Sequence, residues 1–245
     1  MKSVSLFLAL ALWGCLLAGC GQPSRDPANP AQQVVMDAAS RNGGAKQLMD
    51  ISSISGTALV KVYDANGQST IRGQQFTAYP RWGIIQASGR VGEGSWHAYV
   101  MLSKVGLVTT SLDASLTSAQ KQQIENYLRL ILHRLRGPLN LLDGGETPGA
   151  VTTVFVASRA MRRVEATGRA ELAKAYFFDE RYHDLRLITD GKDTPPASGT
   201  VTVLTNERVD GLLLPVEMEV VDAGRDCLIG THTRMSVQLK DVRVK

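Results

Sequence analysis

Histidines, cysteines and paired carboxylates are the side chains through which this chain could do chemistry, and their spacing is restrictive. His97, His133, His183 and His232 stand far apart, and none belongs to a His-x-x-x-His or Cys-x-x-Cys spacing that would close a zinc site. Neither a metal nor a cofactor is expected. No Gly-x-Ser-x-Gly elbow, P-loop or dinucleotide fingerprint occurs. Gly89, Gly92 and Gly94 match none of these in spacing or in strand-to-helix context, and read as a hairpin turn. Asp179 and Glu180 fall at a turn, where solvated charge accounts for them without acid-base work. His133 lies beside Arg134 in a helical stretch, where a solvent-facing or satisfied polar role is the reading. The expectation is a protein that is not an enzyme.

One cysteine is placed for a different chemistry. Lys2, an apolar run from Val4 to Leu12, and then Leu17, Ala18, Gly19 and Cys20 have the order of a secretory signal: a basic start, an apolar middle and small residues before a cut. The cysteine directly after Ala18 and Gly19 is the pattern of a bacterial lipobox. In that pattern Cys20 is diacylated with chains such as palmitate, freed by cleavage after Gly19, and acylated again on its new amine. An ordinary signal peptide with an incidental Cys20, or an uncleaved anchor, are the alternatives. The apolar run is short for a membrane span and no stop-transfer pattern follows it. Gly21 stands where an aspartate would hold such a protein at the inner membrane, so the expected place is the outer membrane, facing the periplasm. Cys15 leaves with the signal, and Cys227 then has no internal partner for a disulfide. Nothing in Arg225, Asp226 or Leu228 supplies a base to Cys227, which reads as a small buried apolar residue.

Residues 1–19 are therefore a signal peptide, 20–30 a lipidated cysteine and tether with prolines at 23, 27 and 30, and 31–245 a single domain. The formal charge of +4 is spread without a dense lysine and arginine block, so no nucleic-acid footprint is present. From Ala31 to Asp50, Val34, Val35, Ala38, Ala39, Leu48 and Met49 fit two short helices broken at Asn42, Gly43 and Gly44. Alternating and β-branched residues then predict strands over 56–63, 69–79, 81–88, 95–102 and 105–111. After the turn at Pro148 and Gly149, strands follow over 151–157, 161–168, 170–178, 181–188, 200–209, 213–221 and 231–244. Asp179 to Arg181 is expected as a tight hairpin connection. The class is α+β, mainly antiparallel β, with about ten strands around one central helix and no βαβ alternation.

That helix is announced by a capping box at Thr117 and Gln120 and stopped by Gly137 and Pro138. Ile124, Tyr127, Leu128, Ile131, Leu132 and Leu135 recur at helical spacing, with Lys121, Gln122, Glu125, Arg129 and Arg136 opposite. Two readings stand. The stripe and the following Leu139, Leu141 and Leu142 roof the core of the sheet, or they line and gate a lipid cavity. Trp96 and Tyr99 are expected to bulk out one strand face, and Trp82 and Trp96 suit either a core or an acyl-chain pocket. Leu212, Leu213 and Leu214 open a strand after the turn at Asp210 and Gly211. Pointing inward they are core; protruding, they are an apolar tip for membrane contact.

The order of short motifs from Ala38 to Lys245 resembles the LolA-LolB-like superfamily of periplasmic lipoprotein and lipid carriers. The motifs are Gly43 to Leu48, Ile51 to Gly56, Tyr79 to Trp82, Asp210 and Gly211 before Leu214 and Pro215, and the closing stretch Val237 to Val242. The resemblance implies a curved, unclosed antiparallel β-barrel with helices packed on its concave face, and makes the Ile124 to Leu135 stripe part of the plug. It implies an acyl chain of a lipid or lipoprotein as ligand, for transport or insertion, with no catalytic residue required, because a greasy cavity shields apolar area worth about 25 cal/mol per Å2. The alternative is a structural or regulatory envelope lipoprotein that uses the same fold to bind a protein partner.

Overall fold

The computed structural model describes residues 29–91, 94–102, 116–168, 175–190, 199–223 and 229–245. The expected signal, Cys20, Cys227 and the strand expected over 105–111 lie outside the described residues. The elements in order are α1 (Pro30–Arg41), α2 (Ala45–Asp50), β1 (Ile54–Tyr63), β2 (Ser69–Tyr79), a 3-10 turn (Pro80–Trp82), β3 (Ile84–Val91), β4 (Gly94–Met101), α3 (Ser118–Arg136) and α4 (Leu139–Leu142). There follow β5 (Glu146–Val156), β6 (Arg159–Gly168), β7 (Ala175–Asp179), β8 (Leu185–Asp190), β9 (Thr200–Val209), β10 (Leu212–Ala223) and β11 (Ile229–Val244).

All eleven strands form one sheet in the order β4-β3-β2-β1-β11-β10-β9-β8-β7-β6-β5, each pair antiparallel. The edges β4 and β5 are not paired with each other. Near one edge α3 packs on β3 and β4, and in mid-sheet on β10; α1 and α4 pack on β5 at the other edge. α4 packs on both α3 and α1, so the two edges and the centre bear on one connected set of helices and the sheet is curled around it: the molecule is a curved, unclosed antiparallel barrel with helices on its concave face.

Period-two alternation sets the concave wall. Phe76, Ala87 and Ala98 lie opposite one another across β2, β3 and β4, as do Ala78, Ile85 and Val100, and all six are buried. Gly89 faces Trp96 across the β3–β4 pair. A Cβ at Gly89 would lie 2.7 Å from the indole, so the ring occupies the space a side chain would need. A second apolar cluster lies on the other face of the sheet, formed by Val156, Met161, Phe177, Leu187, Val201 and Val221 with Ala175. All five residues of β7 are consequently buried, with Tyr176 and Phe178 facing the main core and Ala175 and Phe177 the second cluster.

Several local expectations change. Pro80 to Trp82 form a 3-10 turn in place of the start of a strand, because the proline ring fixes a turn-like φ and Gly83 closes the turn at φ +61°. Gly89 is inside β3 and Gly94 opens β4, while Gly92 lies outside the described residues. The connection after Asp179 is a longer turn: Asp179 Oδ1 accepts from the backbone N–H of Arg181 (2.9 Å) and Tyr182 (2.8 Å), and His183 adopts φ +58°. Leu139 to Leu142 form a helical turn in place of a loop.

Candidate functional site

The capping box of α3 forms as its residues dictate, with Gln120 N–H donating to Thr117 Oγ1 (3.2 Å) and Thr117 N–H to Gln120 Oε1 (2.8 Å). From there the helix runs into the barrel. Its first half is amphipathic, with Lys121 and Gln122 exposed, but every residue from Ile131 to Leu141 is buried. The stripe of Ile124, Tyr127, Leu128, Ile131, Leu132 and Leu135 is no more than 4% exposed. A void of about 20 Å3 beside Leu135 and Leu204 is what remains at the inner end of the helix.

Burial on all sides forces the polar residues of the last turns to find partners inside. Arg134 can only donate, so its Nη1, 2.5 Å from His133 Nδ1, marks that nitrogen as an acceptor and places the His133 proton on Nε2. His133 Nε2 then donates to Glu146 Oε1 (3.0 Å), and the Tyr176 hydroxyl donates to Glu146 Oε2 (2.5 Å). Arg134 also donates to Thr202 Oγ1 (2.9 Å) and pairs with Asp190. Arg136 donates to Asn140 Oδ1 (2.7 Å) and to the Pro80 carbonyl and pairs with Asp143, while Asn140 Nδ2 caps the His133 carbonyl (2.9 Å). Arg136, placed on the solvent side by the helical pattern, is thus buried, because the stripe describes one face and the inner end of the helix has no solvent face. Burial holds His133 below its usual 6.5, against the raising effect of the Glu146 hydrogen bond. Burial likewise raises the Tyr176 phenol well above 10, reinforced by the adjacent Glu146 carboxylate. This half of the interior is tied together by its own hydrogen bonds, with Asp190 Oδ1 alone of the named atoms left without a partner among the described residues, and works as a clamp on the helix.

The half walled by β1 to β4 is different. Arg72 and Gln74 share the concave face of β2 with Phe76 and Ala78, and Gln74 is 3% exposed. Among the described residues neither amide atom of Gln74 has a hydrogen-bond partner, nor do Arg72 Nη1 and the hydroxyl of Tyr127. Burial raises the Tyr127 phenol above its usual range, opposed by the Arg72 guanidinium beside it, which is close enough to act on the hydroxyl by charge and by hydrogen bonding although the pair falls short of full hydrogen-bond geometry. Arg72 and Gln74 on the concave wall and Tyr127 on the facing first half of α3 thus bring unpaired polar atoms together in an apolar interior.

Of the expected cavity residues, the structure brings together Trp96, Ile124, Tyr127, Leu128, Ile131, Leu132 and Leu135 in one core. It separates two. Tyr99 is on the opposite face of β4 from Trp96, since three positions apart in a strand means opposite sides, and it lines an outer groove with Gln75, Gln86 and His97. Trp82 is exposed on its 3-10 turn. Leu212 and Leu214 are core, with Leu213 partly covered between them, so these leucines do not form a protruding tip. Sequence reading missed Arg72 and Gln74, although their parity with Phe76 and Ala78 assigns them to the apolar face. Glu146, Tyr176, Asp190 and Thr202 carry no local signal.

No family model matches the chain, and no curated protein matches it. Among solved structures it is similar to a LolA superfamily protein from Nitrosomonas europaea, at 12% identity and a TM-score of 0.49, covering 89% of this chain and 94% of that one. It is similar to a domain described as an outer membrane lipoprotein-sorting protein from Vibrio parahaemolyticus, at 8% identity and a TM-score of 0.43, covering 88% and 93%. It is also similar to the MucA/MucB complex structure from Pseudomonas aeruginosa, at 11% identity and a TM-score of 0.28, covering 88% of this chain and 57% of that one.

Proposed function

We propose that this chain is a non-enzymatic lipoprotein of the bacterial envelope, tethered to the outer membrane through acylated Cys20, that binds an acyl chain of a lipid or lipoprotein between β1–β4 and α3. The observation that supports the reading is the set of buried polar atoms of Arg72 and Gln74 on the concave wall and Tyr127 on α3, unpaired among the described residues. Each such group left unpaired costs about 1–3 kcal/mol, which the polar end of a ligand would relieve. An acyl chain lies against Trp96 and the outer half of the stripe, and its polar end reaches these three residues.

The test is native mass spectrometry of the chain lacking residues 1–20, together with displacement of a fluorescent fatty acid. The expected result is co-purified lipid and saturable uptake, weakened by Gln74→Leu. An empty protein that takes up no probe would sink the reading. The sealed inner end of the stripe favours a second reading, an envelope lipoprotein with a filled core that binds a protein partner. A single stoichiometric partner recovered by crosslinking, with no lipid in the protein, would support that instead.

A further inference from the structure

Six large apolar side chains stand exposed among the described residues, and four of them, Met49 (45%), Trp82 (57%), Phe155 (75%) and Tyr182 (45%), lie at one end of the barrel. This is the end where β2 hands over to β3, β5 to β6, and β7 to β8. The four positions belong to one continuous rim. Arg41, at the end of α1, donates through Nε to the Tyr182 carbonyl (3.1 Å); α1 packs on α2, which carries Met49, and α2 packs on the Pro80–Trp82 turn.

Cations are interleaved with these side chains: Arg41, Lys46, Arg81, Arg159 and Arg181 are all exposed. Of the acids nearby, Asp50 beside Met49 is exposed and unpaired among the described residues, while three others are committed. Asp179 accepts from two backbone N–H groups, Glu180 pairs with Arg162 (3.5 Å) and Asp184 with Arg186 (2.7 Å). Arg159 and Arg181 pair with no carboxylate among the described residues, and they share a cleft of about 510 Å3 with Tyr182 and Arg186, which Asp179 and Glu180 also line. Arg181 stands over the Tyr182 ring, 5.2 Å from its centroid. Indole and phenol rings alternating with unpaired guanidinium groups match the boundary layer of a bilayer, where the rings sit at headgroup level and the cations meet phosphate.

We infer that this rim docks the domain on an anionic bilayer surface, with the Arg159–Arg181 cleft receiving lipid phosphate. The geometry of the tether allows it, a point that rests on the anchor reading above. α1 is about 18 Å long and ends at the rim, while the linker from Cys20 to Asn29 spans about 28 Å when drawn out at about 3.1 Å per residue. An acylated Cys20 can therefore lie in the membrane plane that the rim touches.

The experiment uses the chain lacking residues 1–20, which retains every described element and has no acyl anchor, with vesicles of phosphatidylcholine alone or mixed with phosphatidylglycerol. Sedimentation should show binding to the mixed vesicles that salt reverses. Tryptophan emission should shift to the blue, since Trp96 is already buried and Trp82 is the exposed indole. Replacing both Arg159 and Arg181 by alanine should weaken binding about thirtyfold, at about fivefold per guanidinium, and Trp82→Ser should remove the emission shift, with thermal unfolding unchanged in both. Absence of binding to mixed vesicles, binding without an emission shift, or binding insensitive to the arginine pair would each overturn the inference. None of these outcomes bears on uptake of a fluorescent fatty acid, so the docking surface and the interior site fail separately.

Discussion

Replacing Tyr127 by phenylalanine removes one oxygen from the middle of the interior and leaves the packing of the ring in place. The residue is 1% exposed and its hydroxyl has no partner among the described residues. A buried hydroxyl in that position costs about 1–3 kcal/mol, so the lipid-free Tyr127→Phe protein should be more stable by about 1 kcal/mol or more. For a domain of this size that raises Tm by about 2–4 °C. With ligand present the sign reverses. The hydroxyl is then paired with the polar end of the lipid, a net hydrogen bond is worth about 0.5–1.5 kcal/mol, and its loss weakens retention about two- to tenfold. Urea unfolding of delipidated protein, followed by displacement titration of a fluorescent fatty acid, reads both signs on one sample. A delipidated Tyr127→Phe protein that is less stable than its parent refutes the reasoning, because the hydroxyl would then be satisfied in the empty state.

Burial depresses His133 below 6.5, so below that pH the unfolded chain takes up a proton that the folded chain refuses. Stability should be full above pH 6.5 and fall beneath it by up to about 1.4 kcal/mol per pH unit. It should fall again above pH 10 as Tyr127 and Tyr176, both raised by burial, ionise only in the unfolded chain. Urea midpoints across pH measure this, and His133→Gln should flatten the acid limb. Arg134→Met strips Asp190 and Thr202 of their partner inside the clamp and should cost about 3 kcal/mol by denaturant titration; a loss below about 1 kcal/mol would mean that water replaces the guanidinium. Gly89→Ala drives a methyl group toward the Trp96 indole, and should cost about 1–3 kcal/mol with a changed near-ultraviolet signal. Cys20→Ser should move the protein out of the detergent phase and remove the acyl mass from its N-terminus, and unaltered partition would contradict lipidation.

The local chemistry of the chain announced much of its architecture. Thr117 and Gln120 started α3 and Gly137 ended it, because a capping box and a left-over carbonyl turn are satisfied within a few residues and need no distant partner. Alternation placed most strands for the same reason: a pleat has a period of two wherever it is folded. What alternation could not decide is whether the other face of β7 is also covered. That depends on the neighbouring strands, and Phe177 joined a second apolar cluster that no single strand pattern marks.

The inner end of α3 is where tertiary structure overruled sequence. His133, Arg134 and Arg136 read as a polar helix end, and on an open sheet they would face water. Eleven strands curled around that end remove the water, and the charges persist because Glu146, Asp190 and Asp143 arrive from segments up to 56 positions away. Arg72 and Gln74 show the converse. Their residue types suggest solvent, their parity assigns them to the concave wall, and only the packing of α3 inside the barrel brings Tyr127 to Arg72, with polar atoms of all three left unpaired among the described residues. Sequence by itself determined the strand periodicity and the bounds of the long helix, since each is a property of neighbours along the chain. Tertiary structure alone decided which polar groups are clamped and which wait in an apolar wall, since that depends on what the curvature of the sheet brings together.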